Sequence, residues 1–189
     1  MGEKIKATRK VKLKKEIDMP ESVEVSLDGQ VLTLKGPQGE VKRKIKKQNV
    51  SIKIDGSKIS LESDKSTKKD KKLLGSLEAH IKNMIKGVLQ THTYILKICS
   101  GHFPMSVSVV ENKLHVKNFL GEKVPRILKL KEGTIVKVDG GSINVTSTSK
   151  ELAGQVSADI EQLTRRPGYD TRVFQDGIYI INKAGKDLK

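Results

Sequence analysis

Val25-Ser26-Leu27-Asp28-Gly29-Gln30-Val31-Leu32-Thr33-Leu34-Lys35 returns later in the chain as Val107-Ser108-Val109-Val110-Glu111-Asn112-Lys113-Leu114-His115-Val116-Lys117. Both stretches alternate apolar and polar residues and run on to a Gly-Glu pair, Gly39-Glu40 and Gly121-Glu122. The match extends in the same order. Ile52-Lys53-Ile54-Asp55-Gly56 is echoed by Val136-Lys137-Val138-Asp139-Gly140, Ile59 and Leu61 by Ile143 and Val145, and Leu73-Leu74-Gly75 by Leu152-Ala153-Gly154. Pro20 and Pro104 precede the first strand of each copy. The chain therefore reads as a duplication of one unit of roughly 80 residues. Two unrelated strand-rich stretches would not keep this order.

Each copy reads as strands and then a helix. Val23, Val25 and Leu27 alternate with polar residues, as a half-buried strand requires. Asp28-Gly29 signals a hairpin, with Leu32 and Leu34 facing inward on the return strand, and Asp55-Gly56 signals a second. The period then lengthens. Leu73, Leu77, Ile81, Met84, Ile85 and Val88 form one helical stripe, and Thr67 with Asp70 resembles a capping box. In the second copy Leu152, Val156, Ile160 and Leu163 make the stripe. Thr148 and Glu151 are expected to cap it, and Arg165-Arg166-Pro167-Gly168 to end it. A short strand is expected at 178–181. This order predicts an α+β fold of two duplicated domains, each of antiparallel strands packed with one helix. The expected divisions are a basic arm at 1–10, repeats at 11–90 and 91–182, and a basic tail at 183–189.

The 189 residues are 35% hydrophobic, enough for two small cores. Lys and Arg number 37 against 22 Asp and Glu, a formal net charge of +15. A chain this basic repels itself unless a polyanion neutralises it, which points to nucleic acid. Three Phe, three Tyr and no Trp leave few rings for stacking exposed bases, which disfavours a single-strand platform. A single cysteine, Cys99, excludes an intrachain disulfide and a cysteine-based zinc site within one chain. No apolar run has the length of a membrane span, and the start lacks the apolar core of a signal peptide. Residues 1–15 read instead as a polar arm that cannot bury its charges and orders on a partner.

No constellation of residues suggests catalysis. Cys99 and His102 lack an orienting third group and read as a strand thiol and a turn histidine. Gly36-Pro37-Gln38-Gly39 lacks the spacing of a phosphate-binding loop and reads as a tight turn. No metal or cofactor is expected. The basic clusters are the candidate sites. Lys42, Arg43, Lys44, Lys46 and Lys47 form a dense extended stretch. Lys68, Lys69, Lys71 and Lys72 open the first helix, the end whose dipole prefers anions, so helix stability does not explain them. Arg165, Arg166 and Arg172 flank the end of the second helix, and Lys183, Lys186 and Lys189 line the tail. Any one cluster is an ordinary solvated face. Together they suggest phosphate contacts, which position a protein on a structured RNA recognised by shape.

Several motifs resemble one family. They are Lys35-Gly36-Pro37-Gln38-Gly39, Asn83-Met84-Ile85-Lys86-Gly87-Val88, His102-Phe103-Pro104, Asn118-Phe119-Leu120-Gly121-Glu122-Lys123 and Arg172-Val173-Phe174-Gln175-Asp176-Gly177-Ile178-Tyr179. The chain is similar to the large-subunit ribosomal protein numbered six in bacteria and nine in eukaryotes, from about residue 10 to 183. The last motif is typical of the eukaryotic and archaeal branch. The resemblance implies two duplicated α+β domains and a non-enzymatic ribosomal RNA binder of the cytosolic ribosome. It implies a place near the sarcin–ricin loop and the base of the factor-binding stalk, beside other ribosomal proteins, with translation factors nearby and no membrane. It also implies that the loop from Asn118 to Lys123 and the segment 172–183 meet RNA. The lysine-rich start and residues 65–72 depart from the family pattern. The competing reading is a free architectural nucleic-acid binder, which would need apolar wedges beside basic residues. None stands out in the sequence. An enzyme with a diffuse site is the third class, and the missing acid–base pair argues against it.

Overall fold

In the first unit six strands precede one helix: β1 (Leu13–Asp18), β2 (Glu24–Asp28), β3 (Val31–Gly36), β4 (Gly39–Lys44), β5 (Val50–Asp55), β6 (Lys58–Ser63) and α1 (Lys68–Leu89). The second unit runs β7 (His92–Cys99), β8 (Ser106–Val110), β9 (Lys113–Lys117), a 3-10 turn (Phe119–Gly121), β10 (Arg126–Lys129), β11 (Thr134–Asp139), β12 (Ser142–Ser147), α2 (Lys150–Leu163), β13 (Gly177–Lys183) and β14 (Lys186–Asp187). This computed structural model describes residues 13–45, 50–63, 66–170 and 172–188. The chain divides into Met1–Leu89 and Gln90–Lys189. The arm at 1–10 lies outside the described residues.

The duplication is real at the level of strand order. The first unit has antiparallel sheets β1-β6-β5 and β2-β3-β4, and the second has β7-β12-β11 and β8-β9-β10. Each sheet element of one copy has its counterpart in the other. The second copy adds β13 and β14 on the free edge of β7. The hairpin signals act as expected: Gly29, Gly56 and Gly140 sit in their turns at φ 61, 56 and 56. In the second copy Glu111 and Asn112 take the place of Gly29 and Gln30, and both are left-handed, at φ 47 and 59.

Each helix packs over strands of both its sheets: α1 meets β1, β3, β4 and β6, and α2 meets β7, β10, β11, β12 and β13. Leu32, Leu34, Ile59, Leu61, Leu74 and Ile81 anchor the first core, and Leu96, Leu114, Ile143, Val145, Val156 and Ile160 the second. Burying each such side chain contributes about 1.5–3 kcal/mol. The expected stripes hold from Leu77 to Val88 and at Val156 and Ile160, all buried, and only the first position of each differs. Leu74 and Ala153 are buried, whereas Leu73 is half-buried and Leu152 is exposed. This difference at the first position is the same in both copies, as their equivalence requires.

Thr67 and Asp70 cap α1 reciprocally: the Thr67 hydroxyl donates to Asp70 Oδ2 at 2.6 Å and accepts from the Asp70 N–H at 3.3 Å. For α2 the cap is Ser149 rather than Thr148, its hydroxyl accepting from the Leu152 N–H.

Where described, the flanking basic segments are ordered by the chain itself rather than left for a partner to order: residues 13–15, 183, 186 and 187 pair in strands. Leu13, Lys14 and Lys15 belong to β1 and pair with β6. Lys15 finds Glu78 on α1, and Lys14 finds Glu16. At the other end β13 runs to Lys183 and turns at Ala184-Gly185, both at positive φ, into β14. The Ala184 N–H donates to the Thr93 carbonyl and the Leu188 N–H to that of Ile181, so the chain itself orders residues 183–188. Backbone pairing supplies there what the apolar content could not.

Among the described residues no helix is long and apolar enough to cross a membrane.

Candidate nucleic-acid interface

The basic side chains of the first unit stand on two separate elements. Lys42 and Lys44 project from β4 into solvent and Arg43 is half-buried between them. Lys42 pairs with Glu40 at 2.9 Å and holds that carboxyl below its usual value through the hydrogen bond. Lys46 and Lys47 lie outside the described residues. Lys68, Lys69, Lys71 and Lys72 are all exposed at the start of α1, around the buried capping carboxylate of Asp70.

The second unit gathers more. The loop from Asn118 to Lys123 is left-handed at Asn118 and Leu120, φ 59 and 47, and Phe119 is buried beneath it. The Asn118 side-chain amide donates to the Pro104 carbonyl at 3.1 Å. Arg126, from the start of β10, ties this loop to the end of α2. Its Nε and a terminal nitrogen donate to the two Glu122 oxygens at 2.8 and 2.7 Å. Its other terminal nitrogen donates to the Leu163 carbonyl at 2.6 Å, and its plane lies 4.4 Å from the Phe119 ring centroid. A cation on the last carbonyls of a helix satisfies groups with no intrahelical partner and favours the negative end of the dipole. The Arg126 hydrogen bonds draw the Glu122 carboxyl below its usual value, with the Arg166 charge adding to the effect.

Beyond α2, the Arg166 guanidinium lies 4.4 Å over the Tyr169 ring and 3.8 Å from Glu122. Tyr169 packs edge-on against Phe174, which stacks with His102, both at 5.1 Å between centroids. His102 Nδ1 is 3.3 Å from Asp176, whose buried carboxylate also accepts from the Gly101 and His102 N–H groups. His102 is thus part of a clamp joining the end of β7 to the approach of β13, not an isolated turn histidine. Arg165 is exposed and Lys123 is exposed, so these two present their charge outward. Arg172 is exposed but pairs with Asp170 at 2.9 Å, and its side chain and N–H hold that carboxyl below its usual value.

Lys183 and Lys186 face each other as cross-strand partners on β13 and β14. Like charges directly opposite are unfavourable in a free hairpin, and an anion would relieve them. Lys189 lies outside the described residues.

Sequence reasoning missed Arg126 and Tyr169, and it named Glu122 and Asp176 only inside longer motifs, without their partners: Arg126 for Glu122, and His102 with the backbone of residues 101 and 102 for Asp176. It also overlooked Val124 beside Lys123 and Val173 beside Arg172, which are 77% and 60% exposed. These are the exposed apolar side chains next to bases that the sequence did not reveal. Phe119, Tyr169, Phe174 and Tyr179 line one cleft between the loop, the end of α2 and β13.

Comparison with known proteins bears on this geometry. Residues 19–91 and 103–177 match the sequence model of the family described as ribosomal protein L6. The large ribosomal subunit protein uL6 of Methanococcus vannielii is 43% identical over 176 residues, covering 93% of this chain and 97% of that protein. Its counterpart in Methanobrevibacter smithii is also 43% identical, over 171 residues, covering 90% of this chain and 96% of that protein.

Proposed function

Because the chain belongs to the ribosomal protein L6 family, we propose that it is a constituent of the large subunit and binds its ribosomal RNA chiefly through its second unit. It is a structural protein of translation and not an enzyme. Family membership favours this over a free architectural binder, despite the exposed Val124 and Val173.

The observation that carries the reading is the convergence of the Asn118 to Lys123 loop with Arg165 and Arg166 on one face, knit by Arg126 and Glu122. Lysine and arginine groups there donate to phosphates, fixing register without reading bases. The facing Lys183 and Lys186 extend the basic surface. Lys42, Arg43 and Lys44 on β4, and Lys68 to Lys72 on α1, are assigned to anchoring contacts of the first unit. In this reading the second unit faces the sarcin–ricin loop and the base of the factor-binding stalk. Stalk-base proteins are then its neighbours, translation factors pass nearby, and the ribosome is cytosolic.

The test is the salt dependence of binding between the purified chain and large-subunit ribosomal RNA. Neutralising about six or more phosphates predicts a loss of roughly 10³ in affinity between 50 and 200 mM salt. A nearly flat dependence would exclude a phosphate-dominated interface.

A further inference from the structure

We propose that the cleft of the second unit receives one unstacked nucleotide of the bound RNA, its base against Tyr169 and Tyr179 and its phosphate on Arg165. This rests on the RNA-binding reading and adds to it a pocket that grips a single residue of the RNA.

The cleft has a volume of about 590 Å³. That lies within the range of roughly 300–1,000 Å³ typical of sites for small ligands and admits one nucleotide, not a duplex. Its rings are placed for a ligand more than for the core. Tyr94 in the same unit is 7% exposed and Phe119 is 2%, whereas Tyr169 and Tyr179 are 42% and 40% exposed. In a chain with three Phe, three Tyr and no Trp, two tyrosines left half in water at one cleft call for an occupant with a flat apolar face. Both rings are held in place. Tyr169 is braced between Arg166 and Phe174, and the Tyr179 ring lies so close over Gly177 that an added Cβ there would stand 3.1 Å from it. A preformed stacking face costs little ordering on binding.

The polar groups suit a nucleotide too. Arg165 lines the cleft, is exposed, and sits where the last turn of α2 leaves it free to reach a phosphate. Glu161 also lines it. One of its oxygens accepts from the Ile180 N–H at 3.2 Å, leaving the other for an exocyclic amino group of adenine, cytosine or guanine. Glu161 would repel a phosphate, which orients the base inward and the phosphate toward Arg165. Asp176 is already saturated by the backbone of residues 101 and 102 and by His102, so it sets the wall rather than binding.

The experiment uses the full chain and large-subunit ribosomal RNA, with Tyr169→Leu and Tyr179→Leu against Tyr169→Phe and Tyr179→Phe. Affinity is read across a salt series and the melting temperature alongside. Stacking predicts that the leucine variants lose at least about five-fold in affinity with an unchanged salt slope, and that the phenylalanine variants bind nearly as well as the parent. Leucine variants binding as tightly as phenylalanine ones overturn the proposal. So do leucine variants that bind naked RNA normally but leave assembled subunits, since the occupant is then a neighbouring protein. If leucine lowers the melting temperature, zero-length ultraviolet crosslinking of the parent chain decides. A nucleotide adduct on Tyr169 or Tyr179 supports the cleft, and adducts confined to other segments refute it. A parent chain that fails to bind the RNA at low salt overturns the RNA-binding reading itself, a different outcome from any of these.

Discussion

Arg126 shows how much of the second unit rests on one side chain. It neutralises Glu122, satisfies the Leu163 carbonyl and covers the Phe119 ring. Arg126→Met keeps the length and loses the charge. It should cost about 2 kcal/mol, the scale of hydrogen bonds to charged groups, and urea unfolding of the full chain should show it. The pH dependence follows from Glu122, whose carboxyl is held below its usual value. A depressed acid contributes its full stabilisation above the ordinary glutamate range, about 4.3, and loses it as pH falls through its lowered folded-state value. The gap between parent and Arg126→Met should therefore be widest at neutral pH and narrow on acidification toward that lowered value. None of this was legible in the sequence. Arg126 opens a short strand and looks like one base among many, and its partner carbonyl is on a helix end far along the chain.

Elements were more legible where one residue type decides the backbone. The Gly36-Pro37-Gln38-Gly39 turn joins β3 to β4 as its glycines suggested, and the Gln38 N–H donates to the Val88 carbonyl at the end of α1. The close approach explains Gly36: a Cβ there would stand 2.9 Å from both Val88 Cβ and the Val88 carbonyl oxygen. Gly36→Ala should push the turn off the helix and cost about 1–3 kcal/mol. Gly75→Ala, in α1 with nothing within 4 Å of the added carbon, should instead stabilise by up to about 1 kcal/mol. Parallel urea titrations of the two variants check both signs. β1 was hidden for a different reason. Leu13 and Ile17 pack on the core, but Lys15 occupies the position between them and reaches Glu78 on α1. Hydrogen bonds from Lys15 and Lys82 hold the Glu78 carboxyl down to about 2. A lysine with a carboxylate partner thus took a place that hydrophobic alternation would have flagged. The tail was misread for want of backbone information, since its order comes from the turn at Ala184-Gly185 and the edge of β7.

At the scale of the whole molecule, duplication was the strongest message of the sequence, because matched alternation and turn residues recur in order regardless of tertiary contacts. Which basic clusters share a surface was not legible. The loop and the end of α2, far apart in the chain, are brought together by Glu122, Arg126 and Arg166, and the described bases of the first unit named above stand on β4 and α1. In the proposed function the chain is a structural part of the large subunit and is held there mainly by its second unit. The most direct measurement is sucrose-gradient sedimentation of the tagged full chain from cells. The comparison sets Lys123→Glu with Arg165→Glu against Lys42→Glu with Lys44→Glu. The parent and the Lys42/Lys44 variant are expected to travel with large subunits, and the Lys123/Arg165 variant to fall to the top of the gradient. A parent chain at the top, or a Lys123/Arg165 variant that stays on subunits while the Lys42/Lys44 variant is lost, would contradict the proposed function.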